Sequence, residues 1–277
     1  MPLSPFSCAN CGGWQRFFAQ PPFCPVCMDV RNDLPEDGWA FLTPAQVQAK
    51  LTPHWREAIP GVWEFWTTPR YGVDGHGWLI QRPEGNVAFE ACPHYFPEAL
   101  AMIEQLGGVR FLAASHPHGY GALYQLQEHF EPDLLIQKDD LEWTKAFRVT
   151  TPYDEFWEIL PGLTLHHIGG HYAGQSVLYD APRRAVFCGD AIKIEFGRDG
   201  APWGISCHKG FHKQIPLSHG ELRRYREVFA RLDFTTAFTP FDFGVGIDTR
   251  AVLTMLDAVL AGAPHTQPVV LPGSKAA

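Results

Sequence analysis

Several classes of protein are disfavoured by what this 277-residue sequence lacks. It has no apolar run close to the ~18–20 residues that a membrane-spanning helix requires, so we expect no membrane partner. It also has no excess of positive charge, because 22 Lys and Arg against 30 Asp and Glu give a net charge of −8. Proteins bind nucleic acid mainly through cations that neutralise phosphates, so no nucleic-acid partner is expected.

The first ten residues do not show a basic start followed by an apolar stretch, which is the pattern of a secretory signal. We therefore expect a cytoplasmic protein in a reducing compartment. Hydrophobic residues make up 45% of the chain and aromatic residues 13%, enough for a substantial core and too much for a disordered chain. The length predicts one large domain or two small ones.

The cysteines are unevenly placed, with four of the seven in the first 27 residues. They form two C-x-x-C pairs, Cys8 with Cys11 and Cys24 with Cys27, separated by twelve residues. Two such pairs can complete the tetrahedron of a structural zinc ribbon or of a rubredoxin-like iron site. Two disulfides would also use four cysteines, but a reducing compartment disfavours them. Zinc is the expected metal, and iron stays open because the Phe-Cys-Pro-Val-Cys knuckle also resembles that of rubredoxins.

Composition divides the chain into four segments. Residues 1–35 are predicted to bind metal, and residues 36–60 to form a linker with one short helix capped by Thr43. Residues 61–262 are predicted to form the main domain, and the Pro-rich residues 263–277 a loose tail. The first segment is too short to bury much core, so we expect it to fold on metal binding. Its role is open among a structural cap, a homodimer contact, a docking surface for a protein partner and an electron relay.

Strand-like and helix-like segments follow one another through the main domain. Early strands succeed each other without helices and later strands alternate with helices, which predicts two packed sheets with helices outside. The predicted strands are 62–66, 77–81, 87–91, 109–114, 134–137, 163–167, 177–179, 185–188 and 235–238. The predicted helices are 97–106, 122–130, 219–232 and 249–260. Ser218 and Glu221 form a capping-box pattern at the start of the third of these helices.

Histidine and aspartate residues stand just after several predicted strands. His116 and His118 follow the fourth strand, whereas His171, Asp190 and Asp242 follow the sixth, eighth and ninth. Because the carboxyl ends of strands in sheet enzymes gather at one edge, where ligands bind, we expect these side chains to lie close together. Three imidazoles and a carboxylate are a suitable ligand set for zinc or iron.

The order of these motifs resembles the metallo-β-lactamase superfamily. The matching stretches are Ala-Ser-His116-Pro-His118-Gly-Tyr-Gly, Gly-Gly-His171-Tyr-Ala-Gly-Gln-Ser and Val-Phe-Cys-Gly-Asp190-Ala, followed by the capped helix and Phe-Thr-Pro-Phe-Asp242-Phe. The resemblance covers residues 60–260. It implies an α/β fold of the αββα sandwich type, with the active site at one edge.

Two departures from the family pattern concern the metal ligands. The first motif of the family is usually H-x-H-x-D-H, and its last two positions are occupied here by Tyr120 and Gly121. The final His of the family falls where Asp242 stands. The resemblance therefore implies an intact three-His site that Asp190 can join, and a second metal site that has lost most of its ligands. We expect one catalytic ion, zinc or iron, with Asp242 as a candidate substitute ligand.

The resemblance implies a hydrolase of an ester, thioester, lactone or similar bond in a small-molecule substrate. A single Zn²⁺ lowers the pKa of bound water toward ~7 and polarises a carbonyl. Asp190 is predicted to be a ligand or a base that holds this water, and Tyr120 to donate a hydrogen bond to an oxyanion or leaving group.

Two alternatives stay open. His116, His171 and Asp190 alone would make the two-His, one-carboxylate triad of a mononuclear iron oxidoreductase, and similar iron sites occur in sulfur dioxygenases of the same superfamily. The chain could also be a non-catalytic metal-binding scaffold with a degraded second site.

Further residues are candidates by their position in the resemblance. His76 lies in a glycine-rich turn that can cover the substrate in related folds, and it is predicted to contact substrate. His208 lies in a stretch that can border the active site in this family and is predicted to do the same. His208, His212 or Cys207 could also replace a lost ligand of the second metal site.

Overall fold

The computed structural model describes residues 2–29, 34–207 and 216–274. The chain divides into two compact units, residues 1–153 and residues 154–277. In the described part of the chain, no helix has both the length and the apolar character needed to cross a membrane.

The first unit contains a small three-stranded sheet and a seven-stranded sheet. Its strands are β1 (Ser4–Cys8), β2 (Trp14–Phe17), β3 (Phe41–Leu42), β4 (Thr52–Ile59), β5 (Val62–Thr68), β6 (Gly77–Ile80), β7 (Val87–Phe89), β8 (Phe111–Ala113), β9 (Asp133–Gln137) and β10 (Thr151–Tyr153). Its helices are α1 (Pro44–Gln48), α2 (Pro97–Gln105) and α3 (Leu123–Phe130). The sheet orders are β2-β1-β3 and β10-β9-β8-β7-β6-β5-β4. Strands β4 to β7 pair antiparallel, whereas β7 to β10 pair in parallel.

One buried cluster joins the larger sheet of this unit to its helices. It takes Ile103 from α2, Leu126 from α3, and alternate residues of β9, Leu134 and Ile136. Alternation places such strand residues on one face, and burying that apolar face stabilises the unit. The same cluster includes Trp14 of β2, so the four-cysteine segment shares its core with the sheet.

The second unit contains a six-stranded sheet and a small three-stranded sheet. Its strands are β11 (Phe156–Leu160), β12 (Leu163–His167), β13 (Ser176–Asp180), β14 (Ala185–Phe187), β15 (Ile192–Phe196), β16 (Pro202–Cys207), β17 (Thr236–Phe238), β18 (Phe243–Val245) and β19 (Val269–Val270). Its helices are α4 (His219–Phe229) and α5 (Thr249–Leu260). The sheet orders are β11-β12-β13-β14-β17-β18 and β15-β16-β19. Apolar residues of α4 and α5, among them Leu222, Phe229 and Met255, are buried in the core of this unit.

The predicted helices and strands are all present, with ends that differ by at most three residues. Both helix starts predicted from capping residues are also confirmed. Thr43 caps α1 with a capping box to Gln46, and at α4 Ser218 N donates to Glu221 Oε2 at 2.6 Å while Ser218 Oγ accepts from Glu221 N at 3.2 Å.

The structure differs from the sequence prediction in residues 36–60, in the C-terminal tail and in the position of the boundary between compact units. Residues 36–60 were expected to form a linker, yet Thr52–Ile59 is β4 and pairs along its whole length with β5. This strand lies at the edge of its sheet, where polar residues and a proline are tolerated, so it shows no clear apolar alternation. In the tail, Val269–Val270 pairs with β16 and Leu271 is buried. The chain also divides at residue 153, within the predicted main domain.

Candidate metal sites

The four cysteines predicted to bind metal form one buried cluster. Cys8 Sγ lies 3.9 Å from Cys27 Sγ, and Cys11 Sγ lies 3.8 Å from Cys24 Sγ. Disulfide sulfurs would be about 2.05 Å apart, so these cysteines are not paired in disulfides. Four sulfurs bound at about 2.3 Å in a tetrahedron are about 3.8 Å from one another, which is the spacing found. The cluster therefore fits one tetrahedral ion, and both zinc and iron take this geometry.

Local hydrogen bonds favour the thiolate form that binds metal. The side-chain amide of Gln15 donates to Cys24 Sγ at 3.2 Å, and the backbone N–H of Gly13 donates to Cys11 Sγ at 3.4 Å. Among the thiols themselves the effects are divided: hydrogen bonds led by that of Cys11 lower the pKa of Cys8 and Cys24, whereas hydrogen bonds led by that of Cys24 raise the pKa of Cys11. Donors directed at sulfur stabilise negative charge there, as a bound cation would require.

Cys207 does not share this environment. It is buried at the end of β16, and burial raises the pKa of its thiol to about 12. A thiol that stays protonated is a poor metal ligand, so the structure favours a core position for Cys207 over the predicted replacement of a lost ligand.

Four of the predicted catalytic-site residues form a second group that could hold a metal ion. His116, His118, His171 and Asp190 each offer one ligand atom, and these atoms all lie within 4.8 Å of one another. Three of the four side chains are buried, and His118 is half-buried. Imidazole and carboxylate donors in this number suit zinc or iron.

His116 and His118, the first two residues of this group, follow β8, which is one of two neighbouring parallel strands. Strands β7 and β8 are neighbours, and Phe89 pairs with Ala113 at their carboxyl ends. Glu90 follows the first strand directly, and its backbone N–H donates to Ala113 O at 3.0 Å. Ser115 and His116 follow the second strand. The parallel pairing therefore brings Glu90 beside the residues that lead into the histidine motif.

Glu90, Ser115 and His116 are linked by side-chain hydrogen bonds, and all three are buried. Ser115 Oγ donates to Glu90 Oε1 and lies 2.7 Å from His116 Nδ1. A serine hydroxyl has one proton, so when it donates to an ionised carboxylate it can only accept from His116 Nδ1–H. This proton inventory assigns the lone pair of the imidazole to Nε2, the atom then available to a metal.

Gly119 and Gly121 allow the histidine loop to approach Glu90 and Ala91 closely. A methyl group on Gly119 would overlap the carboxylate of Glu90, and one on Gly121 would overlap the carbonyl of Ala91. Glu90 itself has a φ of 61°, a left-handed conformation that few residues other than glycine adopt. Such a conformation persists only where the surroundings enforce it, which is consistent with a constrained site.

The second half of the group stands at the ends of two strands of the second unit. Strands β12 and β14 both pair antiparallel with β13, so they run in the same direction. His171 follows the first and Asp190 the second, and His171 Nε2 lies 3.2 Å from Asp190 Oδ2. Gly170, with a φ of 97°, precedes His171, and a methyl group there would lie 2.6 Å from Tyr225 Oη of α4. Gly170 therefore lets the helix pack against the backbone beside His171.

Tyr120 lies in the hydrophobic core of the first unit with 5% of its surface exposed. Its hydroxyl donates to the backbone carbonyl of Asp140 at 3.4 Å, and its ring meets that of Phe147 edge-on at 5.3 Å. These contacts are those of a packed core tyrosine. The structure therefore gives no support to the predicted hydrogen bond from Tyr120 to an oxyanion.

Asp242 lies in the turn between β17 and β18. Its Oδ1 accepts a hydrogen bond from Thr239 Oγ1 at 2.8 Å, an interaction that fixes the turn. The metal-ligand group formed by the described residues does not include Asp242. Its role as a substitute ligand stays a prediction, and His208 and His212 lie outside the described residues.

His76 lies in the loop between β5 and β6, where it contacts a buried carboxylate. Its Nδ1 is 2.7 Å from Glu64 Oε1, and Arg56 Nε donates to the other oxygen of Glu64 at 2.6 Å. The His76 ring lies 6.0 Å from that of Trp66. Glu64 therefore orients the imidazole, and contact of His76 with substrate stays a prediction.

Sequence reasoning missed Glu90 and Ser115. Ser115 directly precedes His116, so a hydroxyl beside a predicted ligand was an available signal. Glu90 was the harder of the two, because it is separated from Ser115 by 25 residues and only the pairing of β7 with β8 joins them.

No family model matches this sequence. The uncharacterized protein YmaE of Bacillus subtilis (strain 168) is 26% identical over 250 residues, which cover 85% of this chain and 88% of that protein. The name of that relative assigns no activity.

Solved structures of metallo-β-lactamases are similar to the chain in fold. One from Pontibacter korlensis gives a TM-score of 0.53 at 15% identity, covering 74% of this chain and 99% of that one. One from Hirschia baltica gives 0.54 at 12% identity, covering 75% and 97%. FIM-1 from Pseudomonas aeruginosa, in its mono-zinc form, gives 0.53 at 10% identity, covering 75% and 96%. The chain therefore has the metallo-β-lactamase fold, as its motifs predicted, and carries a four-cysteine cluster near its N-terminus.

Proposed function

We propose that this chain is a metal-dependent hydrolase that cleaves an ester, thioester, lactone or similar bond of a small-molecule substrate. His116, His118 and His171 would hold one catalytic ion, with zinc as the first choice, and Asp190 would join them. The observation that carries this proposal is the group of four donor atoms within 4.8 Å of one another. An ion bound there would supply an activated water and polarise the scissile carbonyl.

A single catalytic ion is supported by the number of donors. The group contains three imidazoles and one carboxylate: the imidazoles would take three of the four positions of one zinc ion and leave the fourth for water, with Asp190 beside it. Tyr120 is turned into the core of its unit, and Gly121 beside it has no side chain, so neither position of the first motif supplies a ligand for a second ion. FIM-1, a protein of the same fold, was solved in a mono-zinc form, which supports the use of one ion on this scaffold.

Other residues of the chain would supply the proton acceptor and would orient the metal ligands. Asp190 is 7% exposed and its carboxylate contacts His171, so it is the candidate base for a proton released by the attacking water. Glu90 and Ser115 hold the tautomer and orientation of His116. Burial of these groups excludes bulk water and strengthens their interactions with charge that develops on the substrate.

The donor set favours a hydrolase over an iron oxidoreductase. A two-His, one-carboxylate triad leaves open positions for oxygen chemistry, whereas here His118 offers a third imidazole in the same group. We also propose a reducing, cytoplasmic location, because four cysteines that serve as thiolate ligands of an ion must stay reduced.

A substrate panel tests the proposal. Purified protein with both sites loaded with zinc is assayed on thioesters, lactones and phosphoesters. We expect turnover of at least one class, with a loss of about 100-fold or more in His116→Ala and in His171→Ala. His129→Ala is the matched control, because His129 is an exposed residue of α3 whose side chain contacts the exposed Glu104 and the neighbouring ring of Phe130.

Two outcomes would contradict the proposal. Turnover and catalytic-site metal retained in both histidine variants would mean that the site lies elsewhere. Stoichiometric metal binding without turnover of any substrate class would favour the non-catalytic scaffold.

A further inference from the structure

The first cysteine knuckle, residues 8–13, packs against the loop of residues 69–76. This loop joins β5 to β6 and carries His76. The carbonyl of Cys11 accepts a hydrogen bond from Val73 N at 3.2 Å. Gly12 and Gly72 meet so closely that a methyl group on Gly72 would overlap the backbone of Gly12. Both glycines have positive φ, 77° and 61°. The two backbones are therefore fitted to each other without intervening side chains.

Side chains fix the same segment at two further points. Tyr71 is buried, and its hydroxyl donates to Ser7 Oγ at 3.0 Å, while Ser7 Oγ donates to Gly12 O at 3.1 Å. Trp14 is 5% exposed, and its indole N–H donates to the carbonyl of Pro93 at 2.8 Å. The four-cysteine segment thus contacts both the 69–76 loop and the turn that follows β7.

These two contacted segments lead directly to the histidine loop. A methyl group on Gly77 would lie 3.3 Å from Ala91 Cα, and Ala91 N donates to Gly119 O at 3.0 Å. Ala122 N donates to the carbonyl of Cys92 at 3.0 Å. Residues 91–92 therefore lie between the end of the 69–76 loop and the turn that contains His118.

From this series of contacts we propose that the four-cysteine metal centre is a positioning element of the candidate active site. By holding the 69–76 loop and Pro93, it fixes the backbone on which His116 and His118 stand. The inference rests on the proposed function in treating these histidines as metal ligands. A segment of about 30 residues cannot bury enough surface to fold alone, so the ion in the cysteine cluster is what keeps these contacts in place.

Hydrogen exchange tests the coupling without any ion at the histidine site. Gly72→Ala introduces a methyl group that overlaps the knuckle, and Gly38→Ala is its control, because Gly38 also has a positive φ of 82° but has nothing within 4 Å of a new methyl group. We expect amides of residues 115–121 to exchange about tenfold faster or more in Gly72→Ala and at the wild-type rate in Gly38→Ala. Unchanged exchange at 115–121 in Gly72→Ala would overturn the proposal.

Two further variants cover the case in which Gly72→Ala does not fold. Trp14→Phe removes the N–H donor to Pro93 and keeps a smaller aromatic ring in its place, and Trp63→Phe makes the same exchange as a control, since Trp63 N–H donates to Gln81 Oε1 away from the knuckle. Cys24→Ser removes one of the four candidate ligands and leaves the contacting residues intact, and it is compared after chelation has removed any ion that the other three cysteines retain. We expect faster exchange at 115–121 in Trp14→Phe and Cys24→Ser but not in Trp63→Phe. Wild-type exchange at residues 115–121 in both Trp14→Phe and Cys24→Ser would overturn the proposal.

Zinc titration of the same folded variants separates this proposal from the proposed function. We expect affinity at the histidine group to fall by about tenfold or more in Trp14→Phe and to stay unchanged in Trp63→Phe. A wild-type chain that binds no ion there would defeat the proposed function, whereas the exchange result would still decide the positioning role. Normal affinity together with unchanged exchange in Trp14→Phe would overturn the positioning role alone.

Discussion

His171 Nε2 lies 3.2 Å from Asp190 Oδ2, and both side chains are almost completely buried. They follow different strands, β12 and β14, and are 19 positions apart in the sequence. The contact joins a nitrogen and an oxygen that both serve as metal ligands in proteins, in a place where neither is hydrated by bulk water. Both atoms are already removed from bulk water, so neither side chain would have to be desolvated when the two atoms bind a cation.

Asp190→Asn tests whether this carboxylate is needed for metal binding. The amide keeps the size of the side chain but loses the negative charge and the anionic ligand. We expect zinc affinity at the histidine group to fall by about tenfold or more. Competition with a chromophoric chelator measures the affinity. Wild-type affinity combined with lost turnover would instead make Asp190 a base that does not ligate.

Ser115→Ala is expected to weaken zinc binding by about tenfold or more, because outer hydrogen bonds that hold a ligating imidazole are worth this much. The variant leaves Glu90 and His116 in place but removes the hydroxyl between them. Ser115→Thr keeps the hydroxyl and should restore binding. Ser206→Ala is the control, since Ser206 is also buried and donates to a carboxylate, that of Glu195. Equal affinities in all four proteins would remove Ser115 from the site.

Gly119→Ala is expected to lower the free energy of unfolding by about 2 kcal/mol, because the new methyl group overlaps the Glu90 carboxylate. Displacing this carboxylate would disturb its hydrogen bond with Ser115, so zinc affinity should fall as well. Urea denaturation gives the stability. In the background of Glu90→Ala the cost of Gly119→Ala should largely disappear, and full additivity of the two changes would show that these residues do not meet.

The stability of the protein is expected to fall in mild acid through His94. This side chain is 3% exposed, and burial lowers its pKa to about 4. An unfolded histidine titrates near pH ~6.5, so between these values the unfolded chain binds more protons and stability decreases as the pH falls. The whole difference in the pKa of His94 corresponds to at most about 3 kcal/mol of the free energy of unfolding.

Urea denaturation between about pH 7 and pH 4.5 measures this effect. His94→Gln cannot titrate and should lose less stability over this range than the wild type. His219→Gln removes an exposed histidine at the start of α4 and serves as the control. Identical losses in the wild type and in His94→Gln would show that His94 is protonated in the folded protein or makes no contribution.

The features predicted from sequence are those set by neighbours along the chain. The two C-x-x-C pairs, the capping box of Ser218 with Glu221, and the apolar stripes of the helices all depend on residues within a few positions of each other. The candidate ligands were also predicted from their places after strands: His116 and His118 follow β8 of the first unit, and His171 and Asp190 follow β12 and β14 of the second. These features were sufficient to predict the fold and the candidate ligands.

The features missed depend on contacts between distant residues. Trp14 and Pro93 are 79 positions apart, and nothing in either sequence neighbourhood points to the other. Glu90 reaches Ser115 only through strand pairing. Tyr120 was predicted to be a hydrogen-bond donor because it stands where related proteins carry an acidic ligand, and that role stays a prediction. Its position in the motif does not indicate the direction of its side chain, which is packed in the core.

Metal content resolved by site shows whether the cysteine group and the histidine group each hold one ion. Protein purified without added chelator is analysed for metals, and crystals are measured at the absorption edges of zinc and iron. We expect two ions per chain, one among Cys8, Cys11, Cys24 and Cys27 and one among His116, His118, His171 and Asp190. His171→Ala should lose only the second of these. Two ions at the histidine group, or none there in a fully loaded protein, would rule out a single catalytic ion at these residues.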